Sequence, residues 1–193
     1  MVRVISGSAG GLKLKTLDSD ETRPTLDRVK EAMFSILTPF IPGRRVLDLF
    51  SGSGALGIEA LSRGAAYCCF NDIDRRCAAV IRENIAHTRF EDRSQVLSET
   101  FMNALSTLRA EGQKFGLLLL DPPYGGGQYE KAILTAERYG LFDDDCVIMC
   151  EHSRDVPFPD RMGGSVCFRR KEYGTVGLTF YMKGGEEIGD SQN

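Results

Sequence analysis

Asp121-Pro122-Pro123-Tyr124 follows directly on the apolar run Leu117-Leu118-Leu119-Leu120. A carboxylate, a proline carbonyl and an aromatic ring thus stand together at the expected end of a buried strand. Neither proline can donate to a sheet ladder and each has a fixed φ, so the chain must leave the sheet in a stiff turn. Asp121 stands at the mouth of that turn. Two acceptors and a stacking surface suit a planar nitrogen substrate. The lone pair of an exocyclic amine on guanine, adenine or cytosine is delocalised into the ring, which makes the amine a poor nucleophile until it pyramidalises. Asp121 and the Pro122 carbonyl would each accept one N–H and aim the lone pair at an electrophile. Positioning of this kind contributes ~7–11 kcal/mol in well-oriented reactions. Stacking on Tyr124 would add roughly 1–3 kcal/mol. No metal is required. The plainer reading of the same tetrapeptide is a rigid turn with a capping carboxylate. Gly125-Gly126-Gly127 reads either as a lid or as a linker, since glycine permits both.

A second constellation lies upstream, in Val46-Leu47-Asp48-Leu49-Phe50-Ser51-Gly52-Ser53-Gly54-Ala55-Leu56-Gly57. This is a strand opening through a glycine loop into a helix. Gly52, Gly54 and Gly57 match the G-x-G-x-x-G spacing of dinucleotide sites, and Asp72 lies 20 residues beyond Gly52. A nicotinamide-dependent oxidoreductase is therefore one reading. Asp48 favours another. It interrupts the strand where a dinucleotide fold needs only packing, and it offers a carboxylate to the ammonium of a methionine moiety. S-adenosylmethionine carries that ammonium and a sulfonium, and no pyrophosphate. Joined to residues 121–124, the loop points to methyl transfer onto an exocyclic base nitrogen. Asp48 as a brace for its own loop, and Asp74 as a helix cap, are the structural alternatives.

These residues need a scaffold, and the pattern supplies one. Val2 to Ser6 and Leu12 to Leu17 alternate around Gly7-Ser8-Ala9-Gly10-Gly11, which reads as a β-hairpin. Leu26, Val29, Met33, Ile36 and Leu37 recur at helical spacing after Thr25, the expected N-cap, and Pro39 and Pro42-Gly43 close that helix. Strands are expected near 45–50, 67–72, 94–98, 116–121 and 145–151, with helices near 54–63, 74–88, 100–111 and 128–138. Such alternation predicts an α/β fold: a doubly wound, mostly parallel, seven-stranded sheet covered on both faces. Residues 165–173 and 175–183 form an antiparallel edge around Gly174. The expected organisation is an extension over 1–43, a catalytic domain over 44–183 and a disordered tail over 184–193. In such sheets ligands bind beyond the carboxyl ends of the strands, at the topological switch point. Asp48, Asp72 and Asp121 all fall at such ends.

Composition narrows the class. The chain has 193 residues, 42% hydrophobic and 26% charged, with no apolar run long enough to span a bilayer. The N-terminus has no secretory pattern, so the cytoplasm is the expected compartment. None of the six cysteines pairs as Cys-x-x-Cys, which favours reduced thiols over disulfides or metal. His152 reads as a hydrogen-bonded structural residue and His87 as closing a helix. The net charge is −3, yet residues 1–45 hold eight Lys/Arg against five Asp/Glu. A basic extension on an acidic body suits phosphate contact by one and a cationic cofactor in the other.

A third segment sharpens the reading. Thr22-Arg23-Pro24-Thr25-Leu26-Asp27-Arg28-Val29-Lys30-Glu31-Ala32-Met33-Phe34, preceded by Arg3-Val4-Ile5-Ser6-Gly7, resembles the signature of RsmD-type bacterial ribosomal RNA methyltransferases. With the two motifs above, the resemblance runs from about residue 2 to residue 182, in the family order. Asp-Pro-Pro-Tyr alone is shared with DNA adenine methyltransferases, which keeps adenine N6 as an alternative target. The resemblance implies a class I fold and transfer from S-adenosylmethionine to guanine N2 of 16S rRNA, free or in the assembling small subunit, by a monomer. It assigns Asp48, Gly52, Gly54, Gly57 and Asp72 to the cofactor, with Thr100 and Phe101 where the adenine edge is read. It assigns Asp121, Pro122 and Tyr124 to catalysis. Arg23, Thr25 and Arg28 would line the site near cofactor or RNA phosphate, and Pro123 would meet the substrate. Thr100 departs from the Asp or Asn often found at that position.

Overall fold

The computed structural model describes residues 2–17, 24–123 and 127–184, with the backbone alone for residues 24–26. A short hairpin, β1 (Val2–Arg3) and β2 (Lys13–Leu14), precedes α1 (Pro24–Leu37). The alternating body then runs β3 (Arg45–Asp48), α2 (Ala55–Ser62), β4 (Tyr67–Asn71), α3 (Arg75–Thr88), β5 (Ser94–Leu97), α4 (Phe101–Ala110), β6 (Phe115–Leu120), α5 (Gln128–Arg138) and β7 (Phe142–Ser153). It closes with β8 (Arg161–Met162), β9 (Ser165–Tyr173) and β10 (Val176–Lys183).

The sheet order is β5-β4-β3-β6-β7-β10-β9-β8. β5, β4, β3, β6 and β7 are parallel, and β10 inserts antiparallel between β7 and β9. The seven expected strands are all present, and the two-residue β8 adds an eighth. β7 starts earlier than its apolar run suggests, because Phe142 already pairs with Phe115 ahead of the polar Asp143–Asp145. α1 begins at Pro24, so Thr25 lies inside the helix rather than capping it. Proline tolerates the first helical position because its missing N–H would have no helical partner there. The expectations for Arg23, Tyr124, Gly125, Gly126 and residues 185–193 lie outside the described residues, as does the side chain of Thr25.

Strand alternation sorts the core into two layers. Val46, Phe70, Leu119 and Met149 pack under α1, α2 and α3, whereas Leu47, Cys69, Leu120 and Cys150 pack under α4 and α5. Each fully buried leucine contributes about 1.5–3 kcal/mol. All six cysteines are free, and four of them are buried in these layers. No helix of the described residues is long and apolar enough to cross a membrane.

Buried polar groups moor the N-terminal hairpin to the body. Glu59 of α2 is fully buried, accepts the N–H groups of Ile5 at 2.7 Å and Ser6 at 3.1 Å, and pairs with Lys30 at 3.3 Å and Arg63 at 2.8 Å. Asn84 of α3 accepts from Lys15 N–H at 2.8 Å and donates to Ser53 carbonyl at 2.9 Å. One side chain thus ties the extension to the glycine loop.

Candidate active site

The chain runs outward through β3, β4 and β5, then returns to lay β6 on the other side of β3. The switch point therefore falls between the carboxyl ends of β3 and β6, which carry Asp48 and Asp121. Side chains alternate faces along a strand. Val46, Leu119 and Met149 belong to the layer under α1–α3, and Leu47, Leu120 and Cys150 to the opposite one. Asp48 and Glu151, the next residues of their strands, return to the first face, and Asp121, one residue beyond β6, continues that alternation. Phe70 and Asn71 at the end of β4, and Asp72 one residue beyond it, repeat the pattern. Pleating thus delivers four carboxyls to one side of the sheet's carboxyl end.

Their electrostatics agree. Burial pushes Asp48 up to about 7, opposed by the Gly57 N–H and reinforced by the charges of Asp121 and Asp72. Asp121 is open to solvent yet enclosed by surrounding protein, which is how a carboxylate in a concavity is desolvated and raised to about 6. Glu151 is pushed up to about 8, first by burial and then by Asp121. Crowded acids hold protons that a cationic ligand would displace. Among the described residues no group of His, Cys, Asp and Glu is arranged to hold a metal ion.

The glycine loop is held from several sides. Asp48 Oδ2 accepts the Gly57 N–H at 2.9 Å, and the Ser51 hydroxyl donates to the Asp48 carbonyl at 2.7 Å. Asp72 Oδ2 accepts the Gly52 N–H at 2.8 Å, and its Oδ1 accepts the Asp74 N–H at 2.9 Å. Both carboxylates thus brace the loop, and each keeps lone pairs for further donors. Asp74 is the N-cap of α3, accepting from Arg76 N–H at 2.8 Å. Gly52 has φ +54° and would meet nothing within 4 Å if it carried a Cβ, so its backbone borders open space. Gly57 differs, because a Cβ there would lie 2.3 Å from the Phe70 ring. It serves close packing of α2 on β4.

Thr100 caps α4 through Asn103 N–H at 3.2 Å, and Phe101 packs on Phe50 with ring centroids 5.6 Å apart. Pro122 is buried and Pro123 exposed. Arg28 is exposed on α1 and lines a groove of about 600 Å³ with Glu172, Tyr173 and Gly174. His152 is buried, bonded to Thr179 Oγ1 at 2.9 Å and stacked on Phe158, the structural role expected of it.

Three residues escaped the sequence reading. Asn71, 1% exposed, ties the loops after β3 and β5 through Leu49 and Glu99 carbonyls, each at 3.2 Å. Ile73, the residue after Asp72, is 70% exposed, a large apolar side chain left open to solvent. Glu151 enters only through the β6–β7 register, Leu120 against Cys150. Ile73 alone left a local signal, an aliphatic side chain between two acids before a helix.

A parallel sheet with an antiparallel inserted strand, a glycine loop after its first body strand and an acidic switch point define a class I methyltransferase fold. A solved Escherichia coli structure, yhhF, provisionally described as a methyltransferase, superposes with a TM-score of 0.82 at 30% identity, covering 96% of this chain and 99% of its own. Ribosomal RNA small subunit methyltransferase D of Escherichia coli (strain K12) is 35% identical over 94% of this chain and 90% of its own length. YlbH of Bacillus subtilis (strain 168), provisionally named an rRNA methyltransferase, is 38% identical over 95% of this chain and its entire length. The family model described as Conserved hypothetical protein 95 matches residues 2–182. The chain belongs to this family, the RsmD-type methyltransferases. The nicotinamide reading of the glycine loop is thereby set aside.

Proposed function

We propose that this enzyme methylates the exocyclic N2 of a guanine in 16S rRNA, acting as a cytoplasmic monomer on the free RNA or the assembling small subunit. The observation that carries the reading is Asp121, an enclosed but accessible carboxyl one residue beyond β6, at the switch point beside the glycine loop.

The site fits S-adenosylmethionine. Gly52 leaves room for close approach, Asp72 keeps lone pairs that would accept from ribose hydroxyls, and the exposed Ile73 would offer an apolar face to adenine. Asp48 and its acidic neighbours favour a ligand bearing an ammonium and a sulfonium. The Thr100 hydroxyl accepts the Asn103 N–H as a cap, and the backbone near Phe101 would supply the adenine contacts. When bound, the cofactor supplies a methyl group on a positively charged sulfur. Asp121 and the Pro122 carbonyl accept the two N–H groups of the target amine, holding its lone pair in line with the donor. Asp121 then takes the proton the amine sheds as it gains the methyl. Tyr124 stacks on the base, which must leave its own stack to reach the cleft. Arg23, Thr25 and Arg28 belong to an N-terminal extension, residues 1–43, that faces RNA phosphate, while residues 44–183 carry the catalytic fold.

The test is a map of methyl marks in ribosomal RNA from a strain lacking the gene. One N2-methylguanine of the small subunit is lost and returns with the wild-type gene but not with Asp121→Ala. Loss of an N6-methyladenine instead, or no loss, overturns the reading.

A further inference from the structure

Glu151 has no assigned part in the chemistry above, yet it is the polar side chain that β7 sets beside Asp121. The register places Leu120 against Cys150, so Asp121 and Glu151 are lateral neighbours on the same face of the sheet. Glu151 is half-buried, and no hydrogen bond among the described residues engages its carboxyl. Its backbone is rigidly held. The Tyr129 hydroxyl donates to the Glu151 carbonyl at 2.6 Å, and Tyr129 and His152 both pack on Phe158, at 5.0 and 3.9 Å between ring centroids. A desolvated carboxyl with no hydrogen-bond partner among the described residues, on a fixed strand beside the amine clamp, is a costly arrangement unless the substrate completes it.

Guanine is the base that would complete it. Its N2 amine is flanked by an N1–H donor, with the O6 acceptor one atom further on. The adenine N6 and cytosine N4 amines are flanked instead by a ring nitrogen that only accepts. We infer that Glu151 selects guanine, accepting its N1–H while Asp121 holds the neighbouring N2 amine. This rests on the guanine-N2 reading and adds to it the residue that reads the base. The high affinity of Glu151 for a proton fits the role. In its neutral form the carbonyl oxygen accepts N1–H, and the O–H donates to O6. Asp121, its lateral neighbour on the sheet, accepts from the amine. Glu151 is thus a specificity residue that touches the base and takes no part in bond making.

The experiment uses the full-length protein and an RNA carrying either guanine or 2-aminopurine at the methylated position. 2-Aminopurine keeps the C2 amine but has neither N1–H nor O6. Wild-type enzyme prefers guanine about 10- to 100-fold in kcat/KM, the scale of a buried polar group left unmatched. Glu151→Ala lowers the guanine rate and collapses the preference to within about threefold. Glu151→Gln, whose amide offers the same acceptor and donor, retains most of the preference. A purely structural Glu151 would slow both substrates equally, so an unchanged preference in Glu151→Ala overturns the inference, as does a wild type without preference. Failure of the wild type to methylate the guanine substrate at all would overturn the guanine-N2 reading beneath it.

Discussion

Asp48 Oδ2 accepts the N–H of Gly57 at 2.9 Å, joining the end of β3 to the first turn of α2 across nine residues. The carboxyl that makes this bond is 1% exposed and its proton affinity is raised to about 7, chiefly by burial. A raised acid stabilises the fold where it is protonated, below its ordinary value of 3.8. That contribution is lost as pH climbs through about 7. Asp48→Asn keeps an acceptor for Gly57 and removes the buried charge. The expected outcome in thermal melts is a Tm several degrees above wild type near pH 8, with the gap closing as pH falls toward about 4. Calorimetry of the same variant should show S-adenosylmethionine binding weakened about tenfold or more, because an opposing charge is lost.

The pH dependence of catalysis follows from Asp121. In the proposed mechanism it must be ionised to accept the amine protons, and burial raises its proton affinity to about 6. With saturating substrates, the rate should rise as pH goes from about 5 to 7, with a midpoint near that value. A profile flat down to about pH 4.5 would remove Asp121 from the ionisation that limits turnover.

Gly57→Ala tests the packing claim. Its new methyl would lie 2.3 Å from the Phe70 ring and 2.7 Å from the Cys68 sulfur. α2 must shift away from β4, carrying the glycine loop with it. Urea unfolding should show a loss of about 1–3 kcal/mol, accompanied by weaker cofactor binding.

Much of this fold was legible because its signals are local. The strand–helix alternation, the Asp74 cap and the Gly174 turn each depend on a few adjacent residues. The aspartates at strand ends followed from pleating and chain order. What stayed hidden depends on distant pairing. Glu151 joins Asp121 only through the β6–β7 register, and Asn71 acts through carbonyls 22 and 28 residues away. The early start of β7 was masked by Asp143-Asp144-Asp145, whose polarity reads as a loop, although Asp145 is held by Arg44, the residue before β3. Thr25 looked like a cap because Pro24 occupies the first helical position.

Glu59 is another distant pairing with a measurable consequence. It is fully buried and shared among Ile5, Ser6, Lys30 and Arg63. Glu59→Ala leaves Lys30, 7% exposed, without its counter-ion. Denaturant unfolding should register a loss of about 3–5 kcal/mol. Hydrogen exchange should show the Ile5 and Ser6 amides losing protection before those of β3 and β6.

The most direct trial of the mechanism is Asp121→Ala, assayed for methyl transfer to ribosomal RNA and, in parallel, for cofactor affinity by calorimetry. Turnover should fall below about 1% of wild type while the dissociation constant for S-adenosylmethionine stays within about threefold. A variant that binds the cofactor normally and keeps more than about a tenth of wild-type turnover would show that the amine is not held by this carboxylate.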